Sequence, residues 1–93
     1  MSGEAQRFKD LVGQLVVVDT DSGHLYAGSL ISVDDTALEL AEADVHDLNT
    51  STTTRDLYII NLAKFGIKKN REHVLLRMAR VLSISRIQDV TRY

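Results

Sequence analysis

The sequence predicts a mainly β domain: an N-terminal helix, then a strongly bent five-stranded antiparallel sheet forming a small open barrel, with an extra helix between strands 3 and 4. Three observations point there. Residues 14–33, QLVVVDTDSGHLYAGSLISV, hold an apolar, mostly β-branched run, an Asp-Ser-Gly turn and a second apolar run, the pattern of a hairpin. Apolar parity changes at Gly28 in the second run and again near Glu42 in the next one, so neither strand is flat. Two more short apolar runs, 74–78 and 81–85, follow almost back to back.

Composition narrows the class. Ninety-three residues, 44% hydrophobic and 26% charged, make one globular domain over 1–93. A chain this short buries a modest fraction of its surface, which leaves room for help from a partner copy. There is no cysteine, so disulfides and thiolate chemistry are excluded, and zinc would need histidines and carboxylates alone. The first ten residues lack the apolar core of a signal peptide and no segment approaches a membrane span. A soluble, cytoplasmic protein is expected.

The charges are unevenly spread. Residues 1–50 carry two basic and ten acidic groups, a balance of −8, whereas 51–93 carry nine basic and three acidic, +6. Three readings follow: a basic surface for nucleic acid, acidic-to-basic docking of copies, or halves that interleave and cancel locally.

In chain order, Ala5, Phe8, Leu11 and Val12 recur at helical spacing, with Ser2 as a cap and Gly13 past the end. This predicts a helix over 4–12 that covers an open end of the barrel with Phe8 and Leu11. In the hairpin, a glycine inside a strand marks a bend or bulge, because it adds no packing; Gly28 takes that role. Asp34, Asp35 and Thr36 turn the chain into a third strand, where Leu38 and Leu40 give way to Ala43 and Val45 on the other parity. The first strand-rich region spans 14–47. A connection over 48–72 contains a helix at 55–65, RDLYIINLAKF, with Thr53 and Asp56 spaced like a capping box and Gly66 as its stop. Tyr58-Ile59-Ile60 would also suit a strand. The second strand-rich region is 73–86, and Lys64, Lys68, Lys69 and Arg71 form the one concentrated basic stretch, either a phosphate-binding loop or a solvated connection.

Catalysis has thin support. His46 with Asp44 on one strand face could hold a metal, assisted by His24 or His73, but the spacing is unlike known ligand sets and no nucleophile is paired with a base. No enzyme and no cofactor are expected.

The order helix, five short strands and a tight last connection resembles the Sm-like (LSm) family. Its first motif is matched by Gly23, Tyr26, Gly28, Leu30, Val33 and Asp34; its second resembles Leu76-Arg77-Met78-Ala79-Arg80-Val81-Leu82-Ser83-Ile84. The likeness spans about residues 8–84, with a longer connection between the motifs than the family usually has. It implies a bent sheet closed into a small barrel, and a ring of six or seven subunits in which strand 4 of one copy pairs with strand 5 of the next. It also implies RNA at the pore, with Arg77 stacking on a base. Here the stacking position before the third strand falls near Asp35, the Asn position is Ala37, and Met78 replaces a glycine, so the uridine pocket is degraded. The candidate RNA contacts are therefore Arg77, Met78, Asp35, Thr36 and Ala37 at the pore, and Lys68, Lys69 and Arg71 on the added loop. Arg77 has a second reading, an ion pair with Asp34 or Asp35. The functions in view are a ring-forming RNA-binding protein, or an oligomeric scaffold without RNA binding that offers Tyr58, Ile59 or Phe65 to a protein partner.

Overall fold

The computed structural model describes residues 3–91. An α-helix, α1 (Gly3–Phe8), runs into a 3-10 turn at Lys9–Leu11 and stops because Val12 is extended and Gly13 takes φ 89. The α-helical part is shorter than the predicted 4–12, and Val12 lies exposed instead of completing a helical face. Ser2 lies outside the described residues. Phe8 and Leu11 are half-buried against the core, as expected of a helix covering one end of the sheet.

Five antiparallel strands follow: β1 (Leu15–Thr20), β2 (His24–Val33), β3 (Ala37–Asp47), β4 (Arg71–Arg77) and β5 (Val81–Arg86). They form one sheet in the order β4-β3-β2-β1-β5. It is open and does not close into a barrel: β4 and β5 are its two edges, and each is paired on one side only. The bend is built where the parity changes. At Gly28 the β2–β3 register shifts between Ala27 and Ser29, and a Cβ there would meet the Ala41 carbonyl oxygen at 2.9 Å. Only glycine lets the two backbones approach that closely. On the partner strand Glu42 takes φ 52, which moves burial from Leu38 and Leu40 to Ala43. A second register shift, between Leu30 and Ser32, turns Ile31 outward.

Both faces of the sheet are covered. On one, Val16, Val18, Leu30, Leu38, Leu40 and Leu76 form the larger core. On the other, Val17, Leu25 and Ala27 pack against α2 (Arg55–Phe65) through Tyr58 and Leu62. Three consecutive buried valines in β1 follow from this, since adjacent strand residues face opposite sides. The helix starts where expected, but its cap is Thr54, whose side chain accepts from the Leu57 amide at 3.2 Å. The predicted Thr53–Asp56 box does not form. Gly66 at φ 82 ends it with an N–H bond to the Leu62 carbonyl, and Ile67 folds back onto the second core. Of the three side chains expected to greet a partner, Tyr58 is buried, Ile59 is half-buried and Phe65 is exposed.

β4 begins three residues before its apolar run. Asn70 extends the ladder: its amide N–H donates to the Ala43 carbonyl, and its side chain exchanges hydrogen bonds with the Val45 backbone. The two halves of the charge pattern interleave: Arg55 with Asp19, Lys69 with Glu42 and Arg80 with Asp21 each join the basic half to the acidic one.

Candidate nucleic-acid interface

The turn from β2 to β3 is organised by Asp34. Its Oδ1 accepts from the Thr36 amide at 2.8 Å, the Ala37 amide at 2.9 Å and the Thr36 hydroxyl at 2.9 Å, an Asx-type turn. These donors, the Thr36 amide first, hold the Asp34 carboxyl below its ordinary range. The carbonyl of Thr36 in turn accepts from the Met78 amide at 2.9 Å, and Ala37 pairs with Arg77 across β3 and β4. The loop after β2 and the loop after β4 are thereby joined at one end of the sheet, with Thr36, Ala37, Arg77 and Met78 adjoining and Asp35 exposed in the same turn.

Within this group the side chains point to different tasks. Arg77 is exposed and, among the described residues, makes no ion pair; Asp34 is occupied by its own turn. The ion-pair reading with Asp34 is therefore not what the structure contains. Met78 is half-buried and packs against the larger core.

Lys68, Lys69 and Arg71 stand at the opposite end of β4. Six residue steps along the strand separate Arg71 from Arg77, about 20 Å at strand rise. The candidates thus fall into two separate groups. Lys69 bonds Glu42 at 2.7 Å and Glu72 at 3.0 Å, and these two acceptors, Glu42 first, raise its ammonium pKa. Arg71 donates to the Asn70 carbonyl. Lys68 lines a cleft between α2 and β3 together with Asn61 and Phe65.

Sequence reasoning missed a network beside this cleft. The Tyr58 hydroxyl donates to Asp44 Oδ2 at 2.6 Å, the Asn70 side chain donates to Asp44 Oδ1 at 2.9 Å, and the His46 ring stacks on Tyr58 with centroids 4.3 Å apart and 8° between planes. The shared face of Asp44 and His46 was readable, but Tyr58 came from a distant helix with no signal of its own. Asp44 is engaged by protein donors, and the described residues contain no cluster of three metal-ligating groups. Burial, then the bond to Asp44, pushes the Tyr58 phenol pKa well above its ordinary 10.0. The folded state therefore favours the neutral phenol: its stability is fully present below about pH 10 and declines above it, as the unfolded chain ionises first. Tyr58→Phe is expected to cost about 2 kcal/mol at neutral pH, since the bond lost is to a charged acceptor, and to remove that alkaline dependence. Urea unfolding at pH 7 and pH 10.5 measures both.

Ser22, His24 and Asp47 form an arrangement reminiscent of a hydrolytic triad: Ser22 Oγ lies 3.2 Å from His24 Nδ1, and His24 Nε2 is 3.7 Å from Asp47. Proton counting argues against that role. Thr20 Oγ1 gives its hydrogen to the His24 carbonyl, so Ser22 must donate to Thr20 at 2.8 Å and His24 must donate to Ser22. A serine whose base faces it as a donor is not an activated nucleophile; the cluster fastens the β1–β2 turn.

With the geometry in place, the comparison with solved structures is direct. The fold is Sm-like: a bent five-stranded antiparallel sheet behind an N-terminal helix, with a helix between β3 and β4. An Sm-like protein of Archaeoglobus fulgidus aligns with a TM-score of 0.61 at 20% identity, over 92% of this chain and 96% of its own. A Pyrococcus abyssii Sm protein, solved with a uridine heptamer, aligns at 0.60 and 20% identity over 87% and 93%. A P. aerophilum SmAP1 heptamer aligns at 0.60 and 23% identity over 92% and 95%. No family model matches the sequence, and no curated protein does. Among the described residues no helix is long and apolar enough to cross a membrane.

Proposed function

We propose that this chain joins copies of itself in a ring of six or seven subunits that binds single-stranded RNA at the Arg77 end of the sheet, serving cytoplasmic RNA metabolism by binding and not by catalysis. The observation that carries the reading is the pair of open edges. Leu75 on β4 and Leu82 on β5 are 73% and 67% exposed, beside strand backbones paired on one side only. An unpaired edge is a template for another strand, and joining the β4 edge of one copy to the β5 edge of the next is a head-to-tail contact that closes into a ring when the rotation permits. Solved neighbours that are heptameric or hold uridine RNA support the same reading.

Arg77 carries the RNA part: a guanidinium plane can stack on a base and meet phosphate. Ala37 offers no side-chain hydrogen bond and Asp35 adds negative charge nearby, so a degraded pocket with little preference for uridine is the finer proposal. Arg77→Ala is expected to weaken RNA binding about tenfold, in line with ~1–3 kcal/mol per stacked base, and wild-type affinity is expected to fall steeply with salt. Fluorescence anisotropy with U-rich and A-rich oligonucleotides tests this; no binding at low salt, or an unchanged variant, overturns it. The scaffold reading draws on Leu57 and Phe65, exposed apolar groups on α2, and predicts the ring without any RNA binding.

A further inference from the structure

The cleft of about 220 Å³ between the C-terminal end of α2 and β3 is built from parts that suit a nucleobase. Phe65 lines it and is 74% exposed. Asn61 lines it too, one helical turn earlier and so on the same helical face as Phe65. Gly66 follows Phe65 with φ 82 and open space where a Cβ would stand, which leaves the edge of the cleft free for close approach. Lys68 completes that side, and Lys64 is exposed next to Phe65. On the other side Asp44 faces the cleft with each oxygen already holding a donor, from Tyr58 and from Asn70.

Charge selects the occupant. Residues 57–71 contain four cations, Lys64, Lys68, Lys69 and Arg71, and no acid. Lys69 is neutralised by Glu42 and Glu72; among the described residues no ion pair engages Lys64 or Lys68. An apolar peptide would gain from Phe65 but would leave the lysines and the Asn61 amide unused. A base with its phosphates uses all of them: the ring face stacks on the aromatic, the amide meets the base edge, and the ammonium groups meet phosphate.

We infer that this cleft is a second RNA-base site, separate from the Arg77 end of the sheet, in which a base stacks on Phe65 with Asn61 at its edge and Lys64 and Lys68 on the flanking phosphates. The inference rests on the RNA-binding reading above but places a contact that the pore residues do not supply.

The test is anisotropy with labelled A-rich and U-rich decamers on the full chain, comparing wild type, Phe65→Ala, Phe65→Tyr, Lys68→Glu and Arg77→Ala, with native mass and circular dichroism confirming assembly and fold. Phe65→Ala is expected to weaken binding about tenfold and Phe65→Tyr to keep wild-type affinity, as aromatic stacking requires. Lys68→Glu is expected to lower the salt dependence by about one ion. If Phe65→Ala binds as wild type while Arg77→Ala is impaired, the cleft is not a base site and the pore reading stands. If Phe65→Ala is impaired and Arg77→Ala is not, the cleft stands and the pore reading falls. Absence of binding by the wild type overturns both and leaves the cleft to an apolar protein segment.

Discussion

Gly28→Val is expected to destabilise the domain by about 3 kcal/mol, the upper end of overpacking costs, and to lower Tm by roughly 15 °C for a chain of this size. The new Cβ would lie 2.9 Å from the Ala41 carbonyl oxygen and 3.3 Å from Ala43 Cα. Both are backbone atoms of the neighbouring strand, which cannot swing away as the end of a side chain can. Relief would require β2 and β3 to separate at the bend that lets one sheet enclose the larger core. Gly13→Ala is the control: Gly13 has φ 89 but open space around a Cβ, so it carries only left-handed strain, about 1 kcal/mol. Thermal unfolding of the two variants separates steric crowding from backbone strain.

Leu75→Asp and Leu82→Asp are expected to convert the proposed ring to monomers at micromolar concentration while leaving the subunit's fold intact. Both side chains are mostly solvent-exposed in the single chain, so an exchange there changes subunit stability by only about 0.5 kcal/mol. In the proposed ring the same positions lie along the β4–β5 junction, where an unpaired carboxylate would be desolvated at every interface and like charges would recur around the ring. Circular dichroism should be unchanged and sedimentation should slow. A ring that survives both substitutions would place the junction elsewhere.

Much of this architecture could be read before the fold was known, because parity is a physical signal. Where a strand turns one face to a core, its apolar residues alternate, so a change of parity at Gly28 or Glu42 announces a bend. The second shift, around Ile31, was hidden because an exposed isoleucine reads like a buried one. The early start of β4 was hidden as well: Arg71, Glu72 and His73 are exposed edge residues, and polar side chains on an edge strand look like loop. For α2, the span and the Gly66 stop were legible, whereas the choice of Thr54 over Thr53 as cap depended on backbone conformation that five adjacent Ser and Thr residues, 50–54, leave open. The cover α2 provides for the second face was implicit in the unbroken run Val16-Val17-Val18, which needs apolar neighbours on both sides.

The candidate site was less legible. Contact between the β2–β3 turn and the end of β4 follows from a pairing, Ala37 with Arg77, that no local pattern encodes. The basic stretch read as one feature but divides on folding: Glu42 and Glu72 take Lys69, and Lys68 turns to the cleft with Phe65. Charge runs report composition, and only the fold decides which members acids neutralise.

The native mass of the purified 10.4 kDa chain, measured in dilute solution with and without nuclease, tests the central claim most directly. A species of six or seven chains that persists after nuclease treatment is expected, because in the proposed ring the β4 and β5 edges are satisfied by sister strands and not by nucleic acid. A stable monomer at the single-chain mass in both samples would contradict it.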